Sequence, residues 1–190
     1  MNANRDPSTI LALPANVSEQ DALSAFRSRT FSNFSWRLTR GPLQRISLAY
    51  LPFGLYHANY EIGRVCHSRF FAIDLVEGAL DLLEFPSAIG ANDLVPIETC
   101  NHISQVLPGD RASPLLREKV LRMILQQGFF RFRHPKLEIS PSSIQFHIPY
   151  WLGFYGQDGT LRCRVLDAVR RCMEGEKAAA LFEHWLAAKS

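Results

Sequence analysis

The apolar positions change period several times along this chain. Ser18, with Asp21 three residues on, has the form of an N-cap with its capping-box partner, which predicts a short helix over 18–29. From Phe34 the period falls to two. Phe34, Trp36 and Leu38 alternate with Ser35, Arg37 and Thr39, the pattern of a half-buried strand that Gly41-Pro42 ends. Ile46, Leu48 and Tyr50 resume the alternation. Pro52 then predicts a kink or bulge before 54–62, because proline has no N–H to give a ladder. Gly63 supplies the turn into a returning strand over 66–75; 76–85 reads as extended or as a helical turn, and 86–93 as a loop. A short strand at 94–100 carries Pro96, which favours an edge.

The clearest helix covers 114–127, where Leu115, Leu116, Val120, Ile124 and Leu125 form an apolar stripe opposite Arg117, Glu118, Arg122 and Gln126. Ser113 suits its cap, Pro114 its first turn and Gly128 its end. Two short strands at 129–133 and 137–139 precede a long one at 144–155. A turn at 156–159, a strand at 161–166 and a final helix at 176–188, with Leu181, Phe182, Trp185 and Leu186 on one face, complete the chain.

Two stretches echo each other. Tyr50-Leu51-Pro52-Phe53 returns as His147-Ile148-Pro149-Tyr150, and each leads through a glycine-containing turn to a strand ending in aspartate, at Ile73-Asp74-Leu75-Val76 and at Leu166-Asp167-Ala168-Val169. Proline to aspartate is 22 residues in the first and 18 in the second. The difference is even, so each side chain keeps its face of the hairpin. Pro52 should therefore superpose on Pro149, and Asp74 on Asp167. The fold expected is α+β: an antiparallel sheet from two related β-hairpin units with helices packed against it. Residues 1–19 form a polar, Pro-broken lead-in, partly mobile unless it docks. Residues 20–190 form a single domain, divided near 43–110 and 111–190 if the units are duplicates.

At these residues the chain resembles the strand-turn-strand of PepSY-type modules, in which a hairpin runs into an Asp-Ala or Asp-x-Val step and often a following glycine, here Asp74-Leu75-Val76-Glu77-Gly78 and Asp167-Ala168-Val169. It is also similar to bacterial proteins carrying a Pro-aromatic-aromatic strand such as Ile148-Pro149-Tyr150-Trp151. PepSY modules usually lie outside the cytoplasm, and the resemblance transfers no functional residue.

Composition narrows the classes. With 47% hydrophobic and 21% charged residues the chain is of ordinary globular type. Its longest apolar runs fall short of the roughly 20 residues a membrane helix needs, and its start has no basic leader region, so a cytoplasmic protein without a transmembrane segment is expected. Cys66, Cys100, Cys163 and Cys172 are far apart and read as reduced thiols. A net charge of +3 matters less than its distribution: Arg27, Arg29, Arg37, Arg40 and Arg45 occur with no acidic residue between Asp21 and Glu61, interleaved with Phe31, Phe34 and Trp36. Arginine and aromatics together suit phosphate contacts and stacking, or an anionic surface.

Phosphate loops, zinc-protease and serine-hydrolase signatures are absent from the sequence. Cys66-His67 and Cys100-x-His102 offer zinc-type ligands, but neighbours on a strand point to opposite faces, so no metal or cofactor is expected. A Cys-His nucleophile pair could be drawn from Cys100, Cys163, His102 and His147. Asp74 and Asp167 are an acid-base candidate, set against the simpler role of capping the turn each precedes. Tyr150, Trp151, Phe154 and Tyr155 put large side chains on both faces of one strand, so either helices cover both faces or one docks another chain. Three readings follow. The favoured one is a non-catalytic interaction or assembly module, partnered by another protein or by itself through Arg27, Arg29, Arg37, Arg40, Arg45, Trp36, Tyr150 and Trp151. The others are an unfamiliar enzyme using Asp, His or Cys residues, and a nucleic-acid-binding accessory protein using the Arg27 to Arg45 stretch.

Overall fold

A computed structural model describes residues 7–28, 41–62, 65–126, 136–156 and 162–188. The order of elements is β1 (Ser8–Ala12), α1 (Glu19–Arg27), β2 (Leu43–Ile62), β3 (Val65–Asp74), β4 (Leu83–Phe85), a 3-10 turn (Ala91–Asp93), β5 (Val95–Thr99), α2 (Gly109–Gln126), β6 (Leu137–Tyr155), β7 (Arg162–Asp167), β8 (Cys172–Met173) and α3 (Glu176–Ala187). The class is α+β. Hydrogen bonding orders the strands β4-β3-β2-β6-β1-β5, with β7 on β6 and β8 on β7. The pairings of β1 with β5, β2 with β3, β3 with β4, β6 with β7 and β7 with β8 are antiparallel. A parallel bridge between Tyr50 and His102 makes the sheet mixed.

The chain divides into two compact units, each drawn from separate stretches. The first holds residues 1–51, 95–103 and 148–190, and the second 52–94 and 104–147. In the second unit, the β2-β3 hairpin lays Tyr56, Ala58, Tyr60, Phe71 and Ile73 against α2, whose Ala112, Leu116, Val120 and Ile124 recur every fourth residue and are buried. Phe53 stacks on Phe146 from the hairpin's other face. In the first unit, Trp151, Tyr155 and Leu166 of the β6-β7 hairpin pack with Ala22 and Phe26 of α1, while Tyr150 packs on Phe182 of α3 with ring centroids 5.5 Å apart. That hairpin therefore has a helix on each face. Gly153 lets α1 approach, since a Cβ there would stand 2.9 Å from the Phe26 ring.

Several elements differ from expectation. Residues 8–12 of the lead-in dock as β1, with Ile10 opposite Ile97 at the centre of the pairing with β5. β2 runs on through Pro52, whose carbonyl accepts the Leu75 N–H at 2.9 Å. α2 begins at Gly109, ahead of Pro114: the Pro108 carbonyl accepts from Arg111 and Ala112, and burial of Ala112 holds the added turn. The strands expected at 137–139 and 144–155 are one. The strands expected at 34–39 and 129–133 lie outside the described residues.

The turns after β3 and β7 are built alike. Phe53, following Pro52, pairs with Asp74, and Tyr150, following Pro149, pairs with Asp167. Leu75 N–H bonds the Pro52 carbonyl at 2.9 Å and Ala168 N–H the Pro149 carbonyl at 3.1 Å. Asp74 Oδ1 accepts from the N–H groups of Val76 and Glu77, and Asp167 Oδ1 from those of Val169 and Arg170. Four residues past each aspartate the backbone is left-handed, at Gly78 (φ 65°) and at Arg171 (φ 60°).

Candidate functional site

Asp74 is 1% exposed, and its oxygens also accept the N–H groups of Gly78 at 2.8 Å and Leu80 at 2.9 Å. Asp167 is fully buried and its second oxygen accepts Arg170 Nε at 2.7 Å. Burial depresses the Arg170 guanidinium's affinity for its proton, but the hydrogen bond and charge of Asp167, with Glu174, raise it overall. Each carboxylate is committed to the turn that follows it, which is the capping role, and neither lies open to a substrate.

Nor is Cys163 disposed as a nucleophile. Burial, with the Glu183 charge, pushes the Cys163 thiol up to about 12, and its Sγ bonds the Ala179 carbonyl at 3.5 Å. A thiol so disposed stays protonated and unreactive at neutral pH. Cys66 and Cys100 are exposed, and His67 stacks on Tyr60 with centroids 5.1 Å apart. Among the described residues no group of three or more His, Cys, Asp or Glu is placed to hold a metal.

One polar pair escaped the sequence reading. His57 Nε2 and Ser68 Oγ are 2.6 Å apart on the exposed part of the β2-β3 hairpin, with Phe70 stacked on the imidazole at 4.7 Å. The signal was available only through register: His57 faces Phe70, so Ser68 is its diagonal neighbour. The pair stands in water with no described carboxylate bonded to the ring, which is poor provision for activating a hydroxyl.

Arginine recurs at one end of the first unit. Phe26, in the last turn of α1, gives its carbonyl to Tyr155 Oη at 3.0 Å and its ring to Gly153. Gln44, at the start of β2, donates to the Gly156 carbonyl at 3.1 Å. These ties bring the end of α1, the start of β2, the end of β6 and the start of β7 to one end of the first unit, and each except β6 carries arginine there. Arg27 is exposed. Arg45 is exposed too, its guanidinium 4.8 Å over the Phe154 ring. Arg162 pairs with Glu183 at 2.9 Å, and Glu183 also accepts the Cys163 N–H at 2.9 Å. Arg164, half-buried opposite Gly153, has its proton affinity lowered by burial.

Of the sequence-predicted contact residues, Arg27 and Arg45 are thus at this end. Arg29, Arg37, Arg40 and Trp36 lie outside the described residues. Tyr150 is corrected: at 1% exposure against Phe182 it is core, not surface. Trp151 is half-buried and spends its indole N–H on the Val17 carbonyl at 3.0 Å. Helices cover both faces of this strand, which settles the choice the aromatic run left open. Arg162 and Arg164 were missed, although their two-residue spacing in Arg162-Cys163-Arg164-Val165 puts both on one face of β7. No family model, no curated protein and no solved structure matches this chain.

Proposed function

We propose that this protein is a non-catalytic interaction module that holds an acidic protein partner at the arginine-bearing end of its first unit. One observation carries the reading: Arg27, Arg45, Arg162 and Arg164 stand at the ends of α1, β2 and β7, distributed over both faces of the β6-β7 hairpin, whereas the carboxylates and the buried thiol best suited to catalysis are committed to turns and core. An acidic protein is favoured over single-stranded nucleic acid because Phe26, Phe154 and Tyr155 at this end are buried, which leaves no base-stacking surface on them. No described helix is long and apolar enough to cross a membrane.

Fluorescence anisotropy with a labelled polyglutamate peptide and a labelled oligothymidylate tests this. The peptide is expected to bind at low salt, and Arg45→Glu with Arg164→Glu should weaken it at least tenfold. Tight oligonucleotide binding that falls steeply with salt would replace the acidic-protein reading by the nucleic-acid one. Binding of neither probe would overturn both.

A further inference from the structure

The helix-to-hairpin packing of α1 and α2 runs mainly between the halves of the chain, although α1 also meets Leu43 and Ile46 of β2 and α2 meets Leu137 of β6. The elements run strand, helix, strand, strand, strand from β1 to β4 and again from β5 to β8. In the second unit the hairpin belongs to the first half and the helix, α2, to the second. In the first unit the assignment is reversed: α1 of the first half covers the β6-β7 hairpin of the second. Backbone contacts follow the same exchange. The Leu75 carbonyl accepts the N–H of Val106 at 2.9 Å, just before α2, and the Ala168 carbonyl accepts that of Asn16 at 2.7 Å, just before α1. The fourth residue of each helix is a fully buried alanine, Ala22 or Ala112, and the eighth a fully buried large residue, Phe26 or Leu116. β1 and β5, one from each half, pair antiparallel about Ile10 and Ile97.

We infer that the chain is a fused pair of equivalent halves, residues 8–85 and 95–173, each the other's binding partner, with the hairpin face of each serving as a docking site for the helix of a second copy. The physical ground is that Tyr56, Phe71 and Ile73, like Tyr155 and Leu166, are buried by the helix of the other series. A half on its own exposes Tyr56, Phe71 and Ile73, or Tyr155 and Leu166, until a second half arrives. The covalent link between halves then acts by raising effective concentration, in addition to burying its own Ile89 and Leu94. This holds whatever the arginine end binds.

The test uses the whole chain with a protease site inserted between Ser87 and Ala88, both exposed, cleaved after purification. The two fragments are expected to co-elute in gel filtration at the mass of the uncut chain, and isotope-labelled and unlabelled cleaved proteins should exchange fragments after mixing. Phe26→Ala and Leu116→Ala, one on each docking face, should each raise the fragment dissociation constant by about 100-fold or more. Val106→Ala, exposed at 70%, should leave it unchanged. Fragments that separate or precipitate on cleavage without denaturant would overturn the inference, as would a cleaved protein indifferent to both helix substitutions.

Discussion

Replacing Asp74 by asparagine separates a structural carboxylate from a chemical one. The amide keeps the shape and one oxygen, which will face the three N–H groups of Val76, Glu77 and Gly78 now bonded to Oδ1. The NH2 must then face the Leu80 N–H, which Oδ2 accepts at 2.9 Å in a buried setting. One charge-assisted bond is lost and one buried donor is left opposed by another donor. Together these cost at least about 3 kcal/mol, taking the low ends of about 1.5–3 for a hydrogen bond to a charged group and about 1–3 for the unsatisfied N–H. At about 2–4 °C per kcal/mol for a chain of this size, the midpoint of thermal unfolding should fall by about 6–12 °C. Asp167→Asn should cost less, about 1 kcal/mol, because the bond at risk goes to Arg170, whose exposed guanidinium can turn wholly to Glu174. Circular-dichroism melts of the two variants measure the ranking. If Asp74→Asn melted within about 2 °C of the parent while a measured activity collapsed, the capping account would be wrong and the carboxylate would belong to chemistry.

Three further outcomes are expected. Gly153→Ala should lower stability by about 1–2 kcal/mol in urea unfolding, since the new methyl would meet the fully buried Phe26 ring at 2.9 Å and overpacking outweighs the gain from a less flexible unfolded chain; Phe26→Leu in the same chain should restore part of the loss. Arg171→Gly should raise stability by about 0.5–1 kcal/mol by relieving left-handed backbone strain at φ 60°, and a fall would show that the arginine side chain contributes more than the strain costs. Thiol reagents at neutral pH should modify Cys66 and Cys100 promptly, Cys172, whose pKa burial raises, more slowly, and Cys163 only on unfolding; because burial pushes the folded Cys163 thiol up to about 12 against an ordinary 9.0, its contribution to stability is intact below pH 9 and lost as pH climbs from 9 toward 12.

How much was legible depends on the distance over which each feature is encoded. The α1 cap, the helices around Leu116 and Phe182, the hairpin registers and the aspartate turns are local, and their residues announce them: Ser18 does accept the Asp21 N–H, and Pro96 does lie on the terminal strand of the hydrogen-bonded order. β1 was missed because five residues between a polar start and Pro14 carry too little alternation to declare a strand without β5 beside them. The arginine end was half legible. Arg27 and Arg45 stood out as part of a basic run, but Arg162 and Arg164 join them only once β7 returns along β6.

The left-handed position after each aspartate shows why the echo was faint in sequence and plain in backbone. At Gly78 the requirement is double, since φ is positive and a Cβ would meet Leu115 at 2.9 Å, so glycine is dictated and visible. At Arg171 the φ remains but the side chain points out to solvent, so a costlier residue is tolerated and the glycine signature disappears. The same holds for the helix faces: Ala22 with Phe26 and Ala112 with Leu116 satisfy one packing geometry with different large residues. The likeness of the two faces shows only when each helix is placed on the hairpin it packs against.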